Sequence, residues 1–373
     1  MKLRLSVVAV VALALCAPAA AATPSVDARA YLVMNAATGE VLLARGAHDR
    51  LPIASITKLM TALVTLERTS PGEVVVVDQD AVGVTGSTIQ LRAGERLKVR
   101  DLLAGALIQS ANDSAVALAE HVGDGDDQRF VTLMNRRARA LGLAETQFAN
   151  PNGLDAPGNY SSAWDATRLG LAAMKEPLIR QLVRQESASI PGRRTLHTWN
   201  DLLGEFPGVF GVKTGHTSAA GWSQVAAARG NGVTIYTTIL GSPSRSVRNA
   251  DLEELLAFGM SRYTVVPLAP AGRVYGRVPV TYGEEAVAVV AARPLRRAVR
   301  IGRPLEQRVV LTSQAALPVR RGDVMGELAV YDRGRLLGRT QLVAAEDREK
   351  PDALDRVGWY GSRAVDHIGG WFS

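Results

Sequence analysis

The sequence holds one cysteine, Cys16, in 373 residues. A single thiol makes no internal disulfide, so a disulfide-stapled scaffold is excluded and stability must come from an apolar core. Lysine is scarce too: Lys2, Lys58, Lys98, Lys175, Lys213 and Lys350 are the whole set, among 43 Lys and Arg together. The positive charge is almost all arginine, so a lysine at a motif position carries information. Past the N-terminal stretch no apolar run reaches the ~18 residues that a membrane-crossing helix needs. The nucleophile motif G-x-S-x-G is missing, and His48, His121, His197, His216 and His367 show no metal-ligand spacing. Neither a metal nor a cofactor is expected. What is present is ordinary globular composition, 47% hydrophobic with 35 Gly and 17 Pro, which excludes disordered and collagen-like chains.

The first 22 residues read as an export address. Met1 to Arg4 is positively charged, Leu5 to Cys16 is apolar apart from Ser6, and Ala19 to Ala22 offers an A-x-A cleavage site. Leu15 stands where a lipid-modified Cys16 would need a small residue. Cutting near Ala22 leaves a mature chain without cysteine. The net charge of +7 falls to 41 − 36 = +5 once Lys2 and Arg4 are removed, and residues 293–339 alone hold 11 Arg against four acids. No pattern of aromatic-basic interleaving suggests a nucleic-acid groove. The surplus reads instead as a cationic segment near an anionic membrane or wall.

Along the chain, Tyr31–Met34 and Val41–Leu43 flank Ala37-Thr38-Gly39 as a hairpin. Apolar spacing predicts helices over Ser55–Thr69, Leu102–Val122, Arg129–Leu141 and Leu252–Phe258. Asn150 to Gly158 is turn chemistry. Trp222–Ala228 and Val233–Leu240 straddle Asn231-Gly232, a strong hairpin signal. After about Tyr263 only short strand-like runs follow, predicting a small all-β domain that ends near Lys350. On a helix, Leu354–Phe372 would gather Leu354, Val357, Tyr360, Ala364, Val365, Ile368, Trp371 and Phe372 on one face. That face suits either packing on its own domain or lying in a membrane surface; the terminal position and aromatic end favour the second.

Three short patterns carry chemistry. Ser55-Ile56-Thr57-Lys58 sets a hydroxyl and an amine one helical turn apart. A lysine made neutral by burial and nearby cations can deprotonate the serine, and the helix start offers N–H groups to a developing oxyanion. Alone, this pattern is most often a capping serine and a solvated lysine. Ser110-Ala111-Asn112 adds a hydroxyl for proton relay and an amide that can hold a substrate amide; alone it would read as a polar cap. Lys213-Thr214-Gly215, followed by His216-Thr217 just before the late strands, offers groups for a carboxylate, and Gly215 would let substrate approach the backbone. A phosphate loop over Gly208–Thr214 fails because Val212 stands where that loop needs glycine. The three occur once each, in order, and as a set they resemble the penicillin-recognising active-site serine enzymes.

Longer stretches sharpen the resemblance. Pro52–Ala62, Phe148–Asp155 and Gly211–Thr217 are similar to the D-alanyl-D-alanine carboxypeptidases, the low-molecular-mass penicillin-binding proteins. The resemblance implies an α/β (α+β) catalytic domain of the serine β-lactamase and penicillin-binding-protein type, a small C-terminal all-β domain and an amphipathic tail helix. The expected segments are a signal peptide over 1–22, the catalytic domain over 23–263, a β-sandwich-like domain over 264–350 and the anchoring helix over 351–373.

It also implies roles. Ser55 attacks the penultimate D-Ala carbonyl of a peptidoglycan stem peptide and Lys58 takes its proton. Ser110 and Lys213 pass a proton to the leaving D-Ala. Backbone N–H groups of Ser55 and His216 form the oxyanion hole, in a strand where Gly215 precedes His216. Asn112 positions the acyl side, and Thr214, Thr217 and Arg248 hold the terminal carboxylate. β-Lactams would acylate Ser55. The expected location is the periplasmic face of the inner membrane. Tyr160 stands where the family often has His, which weakens a role for that side chain, and Gly86-Ser87-Thr88 resembles a loop that tunes deacylation.

The alternatives from the sequence are a class A β-lactamase using Glu145 for deacylation, a D,D-transpeptidase or endopeptidase, and a non-catalytic wall-binding protein on the same scaffold. Glu145 and Asn150 fit the lactamase pattern with Asn one position late.

Overall fold

The computed structural model describes residues 5–13, 22–283 and 285–352. The chain divides between Arg262 and Tyr263 into two compact units, each with its own apolar core.

The first unit is built on a five-stranded antiparallel sheet in the order Val41–Arg45, Ala30–Asn35, Val233–Ser242, Gly221–Gly230, Val209–Thr217. Strand alternation puts Tyr236 and Thr238 on one face and Ile235 on the other. The helix Ala163–Ala173 lies on the first face, where Thr167 Oγ1 meets Thr238 Oγ1 at 2.6 Å and Gly170 packs against Val225. The helix Arg245–Ser261 covers the second face, Gly259 packing against Ile235 and Val33. Covered on both sides, Ala30–Asn35 is buried at all six positions, which explains a run without polar alternation. The Asn231-Gly232 hairpin is as expected, both residues at positive φ (49° and 74°).

The remaining helices pack beside the sheet. In Lys58–Arg68 every residue from Lys58 to Thr65 is buried, so it is a central helix and not a surface one. A 3₁₀ turn, Ala54–Thr57, leads into it. The stretch expected to be one helix over Leu102–Val122 is broken. It runs as an α-helix Val99–Ala104 and a π-turn Gly105–Gln109, then Ser110 at φ 62°, ψ 29°, then the helix Asn112–Gly123. The break has a local cause: Asn112 N donates to Ser87 O (2.7 Å), and the Asp113 carboxylate accepts from Ile89 N and Leu91 N (3.0 and 3.1 Å). These bonds tie the second helix's start to the 87–91 loop. Lys213–Thr217 lies within the edge strand Val209–Thr217, where a segment ahead of the strands was expected. Two small two-stranded sheets, Val74–Val76 with Arg96–Lys98 and Ser187–Ile190 with Arg194–His197, were not anticipated, nor were the helices Ala163–Ala173 and Pro177–Leu182.

The second unit is all β. Its six-stranded sheet runs Leu5–Leu13, Leu305–Thr312, Val324–Asp332, Arg335–Ala344, Val287–Ala291, Val274–Val278, and Tyr263–Ala269 pairs with Leu295–Arg300. Leu268, Val278, Val287, Leu305, Leu328, Val330 and Leu342 fill the core. Part of the arginine surplus is paired inside this unit, as in Arg303 with Asp332 (3.2 Å) and Arg308 with Glu306 (2.5 Å). Of the expected leader, Leu5–Leu13 is an edge strand with Leu5 opposite Thr312 and Leu13 opposite Leu305. Residues 1–4 and 14–21 of it, and the expected tail helix Leu354–Phe372, lie outside the described residues.

Candidate active site

Ser55 sits in the turn that opens the central helix, preceded by Ala54 at φ 48°. Lys58, one turn later, is fully buried. Its Nζ lies 2.7 Å from Ser55 Oγ, 2.6 Å from Asn112 Oδ1 and 2.7 Å from the Asn152 carbonyl oxygen. The Asn112 amide is oriented by its Nδ2 donating to Thr85 O (2.7 Å). Burial first, then the charge of Lys213, holds Lys58 well below the ordinary lysine value, against a smaller opposing pull from Asp113. A neutral amine has two N–H groups and one lone pair. Asn112 Oδ1 and Asn152 O can only accept, so in the neutral form the lone pair would face the Ser55 hydroxyl. That arrangement primes a serine for proton removal.

A second lysine stands beside it. Lys213 Nζ donates to Ser110 Oγ (2.8 Å) and to Thr214 O (2.9 Å), and its residue is 2% exposed. Burial, with Arg248 as the second cause, lowers Lys213 to about 7. The left-handed conformation of Ser110 ends the π-turn, and its hydroxyl meets the lysine there. Ser110 and Lys213 thus join two distant elements into one proton-carrying pair.

The edge strand closes the site. A Cβ on Gly215 would come within 2.8 Å of Ile53 O and 3.0 Å of Ser55 N. The glycine therefore serves the approach of this strand to the Ser55 turn, a different reason from the substrate clearance expected of it. His216 stacks on Trp222 (4.1 Å between centroids). Thr217 Oγ1 donates to Asp155 Oδ1 at 2.6 Å and accepts from Ala220 N at 3.0 Å. Arg248 is 1% exposed and is held by Asp201 Oδ2 (3.0 Å) and by Asn249 Oδ1. Burial brings it down to about 10 despite Asp201.

These groups line one cleft of about 270 Å³. Ser55, Ser110, Asn112, Thr214, Gly215, His216, Thr217 and Arg248 all face it, with Lys58 and Lys213 buried behind through their bonds to the two serines. Gly86 and Ser87 line it too, as the loop resemblance suggested.

Several participants went unread. Trp199, Trp222 and Leu154 form walls, and Trp199 Nε1 donates to Gln109 O (3.1 Å). Asn152 contributes a backbone carbonyl, which no side-chain pattern announces; only the turn chemistry around it was visible. Tyr160 instead bonds Gln147 (3.2 Å) and does not line the cleft. Glu145 is engaged elsewhere as well: it meets His48 Nδ1 at 2.9 Å and accepts from Ser162 Oγ at 2.6 Å, and it is not a cleft residue. Among the described residues no group of three or more His, Cys, Asp or Glu is placed to hold a metal ion.

Comparison with known proteins shows the family. Residues 17–244 match the model of the D-alanyl-D-alanine carboxypeptidase family, and residues 263–350 match that of the penicillin-binding protein 5 C-terminal domain. The D-alanyl-D-alanine carboxypeptidases DacD of Salmonella typhimurium and DacC of Escherichia coli are each 31% identical to the chain. The alignments cover 90% of this chain and 90% of DacD, and 94% of this chain and 92% of DacC. The structure of penicillin binding protein 5 from Haemophilus influenzae aligns with TM-score 0.65 and 27% identity, over 88% of this chain and all of that one. The DD-transpeptidase of Streptomyces K15 aligns with TM-score 0.62 and 30% identity, over 65% of this chain and all of that one. By the extent of these matches the chain belongs to the D-alanyl-D-alanine carboxypeptidase family.

Proposed function

We infer that the chain is a serine D-Ala-D-Ala carboxypeptidase that removes the terminal D-alanine of peptidoglycan stem peptides through an acyl-enzyme on Ser55. The observation that carries this reading is the Lys58 amine held against Ser55 Oγ by two groups that can only accept. Lys58 takes the Ser55 proton as Oγ attacks the penultimate carbonyl. The Ser55 and His216 N–H groups stabilise the oxyanion, worth about 3 kcal/mol per donor in related chemistry. Lys213, at about 7, carries a proton that Ser110 can relay to the departing amine. Thr214, Thr217 and Arg248 receive the terminal carboxylate and Asn112 the acyl-side amide. Water then releases the product. A β-lactam, mimicking the dipeptide, would stop at the acyl-enzyme.

The matched C-terminal domain and the N-terminal address support an exported cell-wall enzyme. We place it at the periplasmic face of the inner membrane, with residues 1–22 removed, a cut that takes from the second unit's sheet only its edge strand Leu5–Leu13, and residues 351–373 as a surface anchor. No helix among the described residues is long and apolar enough to cross a membrane. The lactamase alternative loses its base, since Glu145 is bonded to His48 and Ser162 away from the cleft.

The test is release of D-Ala from a stem-peptide mimic together with labelling by a fluorescent penicillin. Wild type should do both and Ser55→Ala neither; equal labelling of the two would sink the assignment. Transfer to an added amine acceptor, measured alongside, separates hydrolysis from transpeptidation. For the anchor, deletion of Asp352 to Ser373 should move the protein from membrane to soluble fraction.

A further inference from the structure

At the other end of the edge strand lies a second site that the catalytic reading does not use. It is a hollow of about 290 Å³ lined by Arg184, Leu203, Gly208, Val209, Phe210 and Arg229. It shares no lining residue with the catalytic cleft. Phe210 and His216 are six positions apart along the strand, about 20 Å at ~3.3 Å per residue.

Two guanidinium groups address the same ring here: Arg184 Cζ lies 5.2 Å and Arg229 Cζ 5.8 Å from the Phe210 centroid. The ring is itself set edge-on to Tyr236, 6.5 Å between centroids. Both arginines are exposed, and among the described residues neither guanidinium makes an ion pair or a hydrogen bond. The neighbouring acids Glu186 and Glu205 are not part of the lining. Arg180 adds a third positive charge nearby; together with Arg184 and Arg229 it acts on buried Tyr236, opposing the burial that drives that phenol up to about 12. The backbone under Arg229 is also fixed. Arg229 N donates to Gly208 O (2.9 Å), and Gly208, at φ 84°, packs so closely that a Cβ there would lie 2.2 Å from Arg229 O.

A guanidinium attracted to an aromatic ring by cation–π interaction spends no N–H donor on a hydrogen-bond acceptor there, so its donors stay available to another partner. Two such guanidinium groups at one hollow, with no ion pair to a carboxylate among the described residues, match a group with several oxygens and more than one negative charge. A phosphate fits better than a single carboxylate, which two forks over-donate. We propose that Arg184 and Arg229, braced by Phe210, form a binding site for a phosphate group, supplied either by an anionic lipid headgroup or by a free phosphate compound.

The experiment titrates purified full-length protein with inorganic phosphate and acetate by calorimetry, and with vesicles of phosphatidylcholine alone or with added phosphatidylglycerol by co-sedimentation. The variants are Arg184→Gln, Arg229→Gln, both together, and Arg136→Gln as an exposed control. Saturable phosphate binding should weaken about tenfold for each lost guanidinium and stay unchanged in Arg136→Gln. Arg184→Lys, which keeps the charge and loses the fork, should fall between. Unchanged D-Ala release and Tm in all variants would show an intact fold. Phosphate binding lost in the double variant points to a free phosphate source. Phosphatidylglycerol-dependent sedimentation lost in the double variant, without binding of phosphate alone, points to a lipid source; either result supports the site. The proposal is overturned if neither probe binds wild type, if the double variant binds like wild type, or if acetate binds as tightly as phosphate.

Discussion

Replacing Gly153 by alanine should damage catalysis through a contact that touches no catalytic side chain. Gly153 has φ 86°, and a Cβ built there lies 2.0 Å from Ala54 O, 2.5 Å from Ala54 C and 3.0 Å from Ser55 N. Ordinary contact starts near 3.4 Å, so the two backbones must part by about 1 Å or more. The atoms displaced are the carbonyl of Asn152, which orients Lys58, and the peptide that carries Ser55. A displacement of about 1 Å in a catalytic constellation costs on the order of 100-fold in rate. Stability should fall as well, by about 1 kcal/mol for the left-handed conformation and a further ~1–3 kcal/mol for the overlap. Gly39→Ala separates the two effects. Gly39 has φ 70° but nothing within 4 Å, so it should lose only the conformational ~1 kcal/mol and acylate normally. Timed labelling with fluorescent penicillin gives the rate, and thermal melting gives the stability. If Gly153→Ala is labelled within about threefold of wild type, the close packing of this loop on the nucleophile turn does not set the geometry of the site.

The alkaline limb of acylation should follow Lys213 near pH 7, and Arg248→Gln, which removes the second cause of its depression, should move that limb to higher pH; a pH series of labelling rates reads the shift. Lys213 also links stability to pH. The unfolded chain keeps this proton up to about 10.5 and the folded chain only to about 7, so wild-type Tm should rise between those values relative to Lys213→Met. A flat difference across that window would contradict the burial argument. Asp113→Ala should destabilise the fold by about 3 kcal/mol, read as a lower Tm in thermal melting, since it orphans the buried N–H groups of Ile89 and Leu91. Glu145→Gln should leave the lifetime of the penicillin acyl-enzyme unchanged, measured by loss of label over time.

What could be read in the sequence was local or periodic. Ser55 and Lys58 share one helix face, so their spacing already implied contact, and Asn231-Gly232 named its own hairpin. The second domain's texture was visible because its strands are short and its turns frequent. What stayed hidden depends on contacts between distant segments. The break at Ser110 comes from Asp113 and Asn112 bonding to the 87–91 loop, against an apolar, Ala-rich run that favours a continuous helix. The strand Leu295–Arg300 was missed because exposed Arg296 and Arg297 interrupt the alternation of inward Leu295 and Val299. Asn152 acts through a main-chain oxygen, and the hold of Asp201 on Arg248 joins residues 47 positions apart. In the first unit the motif order was legible, but the closeness of strand to nucleophile turn at Gly215 is a property of the packed fold alone.

The Lys58 amine draws on residues from the central helix, the start of a second helix and a loop, and the Lys213 amine reaches from a sheet edge to the end of a π-turn. No single element holds even a minimal version of the site. Reactivity toward penicillin is therefore a property of the folded first unit as a whole, and partial unfolding of any contributing segment should silence Ser55 before the chain is fully denatured. The label can be used as a conformational probe: the fraction of molecules that fail to acylate in mild denaturant counts those in which any one of these segments has come away.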